Sequence, residues 1–208
     1  MRAFSRFYEN VLARAILLLA VTMLTASFAG PARAQEQSAN NEFAVWFADQ
    51  FASAQAFSEE TNGDIYQVAT RYTRMILARR AIAIRYVAEV VPWAVVGDPR
   101  GTDGSLLYAH GTGGSPLGLQ LNFLHDRHVQ PFITGGGGFL YFNRRMFGTK
   151  QQFNFTAQFG AGVQLLDSSR RASLYFGYMY HHISNANLDR TNPGMGSHMF
   201  FVGVSFLR

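Results

Sequence analysis

From Gln151 to Leu166 every second residue is apolar. Phe153, Phe155, Ala157, Phe159, Ala161, Val163 and Leu165 occupy one face, against Asn154, Thr156, Gln158, Gly160, Gly162 and Gln164 on the other. Side chains alternate sides along a β-strand, so this run is a strand with one wholly apolar face and one polar or glycine face. At 16 residues it far exceeds the usual soluble strand of about five or six. Period alone does not say whether the apolar face turns inward to a core or outward to lipid. The length and the aromatic load select the membrane.

The same alternation recurs along the chain. Ile82, Ile84, Tyr86, Ala88 and Val90 oppose Ala83, Arg85, Val87 and Glu89. Leu117, Leu119, Leu121 and Phe123 oppose Gly118, Gln120 and Asn122, and Leu174, Phe176, Tyr178 and Tyr180 oppose Ser173, Tyr175, Gly177 and Met179. Arg85 and Glu89 then sit inside a barrel, where charges can pair. Eight strands are predicted: Asn41–Phe51, Ile65–Leu77, Arg80–Val91, Gly114–Leu124, His128–Phe142, Gln151–Leu166, Ala172–Ile183 and Ser197–Leu207. An even number of antiparallel strands closes without edges, and eight make the smallest common barrel. The fold class is therefore all-β, an eight-stranded antiparallel transmembrane β-barrel.

Composition agrees. The chain has 19 Phe, 9 Tyr and 20 Gly, with 15% charged residues against about 25% in a soluble domain. No stretch after the leader holds 18 unbroken apolar residues, which excludes membrane helices. Arg2, Arg6 and Arg14, the apolar run Ala15–Leu24 and Ala32-Arg33-Ala34 together spell a secretory signal peptide over residues 1–34. Residues 35–208 form the barrel domain. The leader holds four Arg and one Glu, so the formal charge of +5 falls to about +2 without it. A nucleic-acid partner is not indicated. There is no Cys, so disulfides are excluded.

The predicted connections alternate in length. Those at Ala78-Arg79, His125–Arg127 and Asp167–Arg171 are tight, while Pro92–Gly113, Asn143–Lys150 and Ser184–Gly196 are longer. Outer-membrane barrels have short periplasmic turns and longer external loops, which puts both termini in the periplasm. The run Gly135–Gly138 has no Lys-Ser/Thr after it and lies inside a strand, so it marks a bend or close approach and not a phosphate loop.

Chemistry concentrates in Tyr180-His181-His182-Ile183-Ser184-Asn185-Ala186, followed by Asn192-Pro193-Gly194. A His two residues from a Ser on a strand shares its face, so the imidazole can take the Ser proton. The amides of Asn185 and Asn192 can donate to a developing oxyanion. By parity His182 and Ser184 continue the outward face of Tyr178 and Tyr180, at the external end of strand seven. A polar pair there is costly unless it has work to do or lies at the interface.

These residues resemble the lipid A 3-O-deacylase family, whose signature is His-x-Ser-Asn-Ala before the last strand. The resemblance implies an eight-stranded outer-membrane barrel that removes the ester-linked acyl chain at the 3-position of lipid A. It implies His182 as general base, Ser184 as nucleophile, and Asn185 and Asn192 at the oxyanion site. The family's third member, a Glu, falls on Gly196, and no acid occurs from there to the C-terminus. Asp189 in the same loop and His198 on strand eight are the candidate orienting groups. No metal or cofactor is implied, because His125 and His128 lie at the opposite end of the barrel from His181 and His182. Arg144, Arg145 and Lys150 form a basic external loop that suits either solvent or lipid A phosphates. Whether a homodimer forms is left open. The rival reading is a structural or adhesive barrel that has lost its acid.

Overall fold

The computed structural model describes residues 40–55, 63–98, 107–146, 150–190 and 192–207. The predicted signal peptide lies outside the described residues. Eight strands follow one another: β1 (Asn41–Ala54), β2 (Asp64–Arg79), β3 (Ile82–Asp98), β4 (Leu107–Phe123), β5 (Val129–Phe142), β6 (Phe153–Leu166), β7 (Ala172–Ser184) and β8 (Met195–Leu207). Each pairs with the next, and β1 pairs antiparallel with β8, closing the barrel.

Most boundaries shift by one to three residues from the sequence expectation, and two shift further. β3 and β4 continue through the predicted loop Pro92–Gly113, reaching Asp98 and starting at Leu107. Pro92 has no N–H to donate, and pairing skips from Val91 to Ala94 at this point. A bulge absorbs the missing donor, after which the ladder resumes.

The outward residues settle which way the apolar faces turn. Leu117 is 73% exposed, and Phe159 and Phe200 are each 60% exposed. A soluble sandwich would bury such side chains. An all-round apolar wall is stable only against lipid.

The lumen is polar and filled. Arg71 Nε meets Glu89 at 2.6 Å and Arg85 meets Glu42 at 2.9 Å, with all four side chains buried. Glu89 also accepts from Trp46 Nε1 at 3.1 Å and from Gln158 at 2.5 Å. Gln164 donates to Glu42 and to Ser173, each at 2.8 Å. Charges removed from water need such multiple partners to offset desolvation. The void among Glu42, Arg71, Gln120 and Tyr175 is about 10 Å3, at the lower limit of what holds one water. These residues fill the barrel at this level.

Of the four consecutive glycines on β5, two answer to packing. A Cβ on Gly138 would lie 2.1 Å from the Gly114 carbonyl oxygen, and one on Gly136 would lie 3.0 Å from that of Leu117. Close approach of β4 to β5 requires glycine at both, as expected from the sequence. The three tight turns join β2 to β3, β4 to β5 and β6 to β7 at one end. Their left-handed residues are Arg80, Leu124 and Arg170. The site described next lies at the other end.

Candidate active site

β7 carries inward Ser173, Tyr175, Met179, His181 and Ile183, all buried. The intervening residues, including Tyr178, Tyr180, His182 and Ser184, face outward. His182 and Ser184 are both half-buried on the same side of the strand. Two residues of extended chain separate their Cα atoms by about 6.6 Å. His181 points into the lumen, 2% exposed, and so belongs to a different compartment from His182.

After Ser184 the chain folds into a turn built around Asn185. The Asn185 carbonyl accepts the Leu188 N–H at 3.0 Å, and its side-chain oxygen accepts the Asn187 N–H at 2.9 Å. Asn185 N–H donates to Asn192 Oδ1 at 2.9 Å, tying the two ends of the loop. Ala186 and Asn187 both adopt left-handed backbone, with φ of 50° and 62°. Asparagine tolerates this conformation; alanine does so only under strain, which this hydrogen-bonded turn supports. The structure thus brings Asn185 and Asn192 together next to Ser184. Both amide oxygens accept backbone N–H groups.

The two candidate orienting groups have different surroundings. Asp189 accepts the Lys150 N–H at 2.6 Å and the Arg190 N–H at 2.8 Å. Those bonds, the Lys150 one foremost, hold its carboxyl below the ordinary carboxylate range. Asp189 therefore links the β7–β8 loop to Lys150 of the basic β5–β6 loop. His198 faces outward on β8, opposite Tyr180 in the register, and its Nδ1 lies 2.7 Å from the Tyr178 hydroxyl. The Tyr180 ring lies between the two imidazoles, 6.5 Å from His182 and nearly parallel to it, and 6.1 Å from His198.

Gly196 is the direct register partner of His182 on β8 and is flanked in turn by Ala54 of β1. Sequence reasoning found Gly196 but missed Phe51. This ring stacks on Phe200 at 4.3 Å and packs against His198 and Tyr178 at 6.2 and 6.4 Å. A bulge between Gln50 and Ala52 turns it to the outer wall. No local signal in the sequence announces that bulge. Among the described residues, no cluster of three His, Cys, Asp or Glu side chains is arranged to hold a metal.

A closed, plugged barrel with a lipid-facing wall and a polar pair on its outside is an integral outer-membrane β-barrel. The family of lipid A 3-O-deacylases, PagL, matches residues 83–205, more than half of the chain, and the chain belongs to that family. Among solved structures it is similar to the outer membrane enzyme PagL, with a TM-score of 0.60 and 19% identity over 77% of this chain and 97% of that one. It is also similar to Neisserial surface protein A, with a TM-score of 0.47 and 11% identity over 81% of this chain and 97% of that one. For the N-terminal barrel domain of Pseudomonas aeruginosa OprF the TM-score is 0.43, at 13% identity over the same shares. At these identities the structural likeness concerns the fold. No curated protein matches the chain.

Proposed function

We propose that this barrel is an outer-membrane esterase that hydrolyses an ester-linked acyl chain of lipid A, the 3-O-deacylation for which its family is named. The observation that carries the reading is the shared outward face of His182 and Ser184. They stand at the loop end of β7, beside the Asn185–Asn192 turn and inside the segment that the family matches. A pair on the lipid-facing wall meets a substrate that arrives sideways from the bilayer.

Ser184 Oγ attacks the acyl carbonyl while His182 takes its proton. The N–H2 groups of Asn185 and Asn192 stabilise the tetrahedral oxyanion. Collapse breaks the ester bond, and His182 returns the proton to the departing sugar hydroxyl. Water, deprotonated by His182, then releases the fatty acid from Ser184. The reading needs no metal or cofactor. Of the two orienting candidates, His198 shares the outward face with His182, whereas both Asp189 oxygens accept loop amides. Exposed Arg144 and Arg145, with Lys150 beside them in the loop, suit the phosphates of lipid A. The loop end then faces outside the cell, and residues 1–34 direct export and are removed.

One observation favours the second reading, a barrel without catalysis: Gly196 stands where an acid would meet His182. Mass spectrometry of lipid A incubated with the refolded barrel separates the two. The esterase loses one hydroxyacyl chain from its substrate, and Ser184→Ala abolishes the loss. If the folded wild type leaves lipid A intact, the scaffold reading replaces the esterase.

A further inference from the structure

Arg74 is a charged side chain on the outer wall. It is exposed on β2, one outward position beyond Tyr72 towards the turn end. Its register partners, Asn41 on β1 and Tyr86 on β3, also face outward and carry no charge. Among the described residues Arg74 has no ion pair. The carboxylates of the adjacent strands, Glu42 and Glu89, turn into the lumen and are held there by Arg85 and Arg71. An ionisable side chain on a lipid-facing wall is costly unless a partner meets it.

A recess of about 550 Å3 opens on the same wall, starting one row above Arg74. Its lower row reads Ala88, Tyr72 and Phe43 across β3, β2 and β1, and its upper row reads Val90, Thr70 and Val45. Ala88 is the shortest of these, and the ladder beside it is broken. Pairing of β3 with β4 passes from Val87 and Gly118 to Glu89 and Ser115, which leaves Ala88 and Pro116 unpaired there. The Tyr86 hydroxyl donates to the freed Pro116 carbonyl at 2.5 Å. On the β1 side the Phe43 and Tyr72 rings lie 5.2 Å apart, and the Tyr72 hydroxyl donates to Asn41 Oδ1 at 2.8 Å. An apolar recess therefore meets a polar rim of Asn41, Arg74 and Tyr86 at its turn-end edge.

Four residues of strand separate Arg74 from Thr70, about 13 Å. Half of a hydrocarbon core is about 15 Å thick, so the recess and its cation fit within one leaflet. That leaflet is the one at the turn end, whereas His182 and Ser184 stand at the loop end. The occupant is therefore not the ester substrate. Exposed Arg79 and Arg80, on the β2–β3 turn, add positive charge at the same end.

We propose that this recess holds an anionic glycerophospholipid, its phosphate on Arg74 at the rim and an acyl chain over Ala88 and Thr70. A guanidinium meets a phosphate through two parallel N–H donors, and the bond is strong where water is scarce. The lipid supplies the counter-charge that the outer wall lacks. Tail and wall are equally apolar, so shape decides what packs in the recess and charge decides which headgroup is kept. The site is separate from the esterase chemistry and stands whether or not Ser184 is a nucleophile.

Native mass spectrometry of the refolded barrel tests this by counting the lipid it retains. The barrel is exposed in nonionic detergent to dioleoyl phosphatidylglycerol or to dioleoyl phosphatidylcholine. Wild type is expected to retain the anionic lipid about fivefold in preference, the worth of one arginine at an anionic surface. Arg74→Gln should remove the preference, while Arg127→Gln, on the next turn, should leave it unchanged. Ala88→Phe and Thr70→Phe, made separately, should lower retention of both lipids while still migrating as folded barrels in unheated gels. A wild type without preference, a preference that survives Arg74→Gln, or full retention in both folded recess variants overturns the proposal. Displacement of the lipid by inorganic phosphate alone overturns it too, because the site would then hold a free anion without a tail.

Discussion

Gly196→Glu is the substitution whose outcome follows most directly from the register. Gly196 lies directly across from His182, and cross-strand neighbours hold their Cβ atoms about 4.5–5.5 Å apart. A Glu placed there projects from the outer wall beside the imidazole, close enough for its carboxylate to reach a ring nitrogen. When His182 takes the Ser184 proton, an imidazolium forms beside that carboxylate. Two unit charges about 4 Å apart at an effective dielectric of about 20 interact by about 4 kcal/mol. Part of that is lost to ordering the Glu side chain and to desolvating it near the membrane interface. The net effect expected on kcat is a gain between about tenfold and a thousandfold. Loss of an orienting acid costs a larger factor, about 10⁴, in serine proteases. The assay is release of hydroxyacyl chain from lipid A, compared among wild type, Gly196→Glu and the double variant with Ser184→Ala. A folded Gly196→Glu barrel no faster than wild type would refute the reasoning, because the carboxylate would then have no imidazolium to stabilise. A gain that survives Ser184→Ala would refute it equally, by placing the chemistry elsewhere.

Other outcomes follow from particular contacts. Asn192→Asp and Asn185→Asp keep the oxygens that accept the Asn185 and Asn187 amides but lose the N–H2 donors. Each is expected to lower kcat by about 10²–10³; unchanged kcat would remove the residue from the oxyanion site. Arg71→Met strands Glu89 in the lumen and should destabilise the barrel by about 3–5 kcal/mol, whereas Arg71→Met with Glu89→Gln should recover much of it. Unfolding in urea with lipid vesicles measures both. Burial tends to raise the Asp167 carboxyl, but hydrogen bonds from Ser169 and from the amides of Ala172 and Arg171 outweigh it and hold the group below its ordinary value. A depressed carboxylate contributes stability above its unfolded-state value and loses it as pH falls through the folded one. Wild type should therefore lose stability in acid below the normal carboxylate range, and Asp167→Asn should flatten that part of the curve.

Much of this protein is legible in its sequence, for a reason that lies in strand geometry. The period of two along Phe153–Leu166 is a property of one chain segment, so it shows a wall with unlike faces before any partner is known. Eight such segments with alternating short and long connections then imply closure. The pair His182 and Ser184 shares a face for the same local reason. What lies across from a residue is not local. Arg85 and Glu89 are expected inside the lumen, where charges can pair, and the structure supplies their partners, Glu42 and Arg71, from other strands. Four residues of extended chain, about 13 Å, separate them along β3, too far for a direct bond. The bulge at Gln50/Ala52 shifts register without leaving a compositional mark, whereas the one at Val91/Ala94 falls on Pro92. They bring Phe51 against His198 and carry β3 past Pro92. Only tertiary structure decides that Gly196 faces His182, because register belongs to pairs of strands and no single strand contains it.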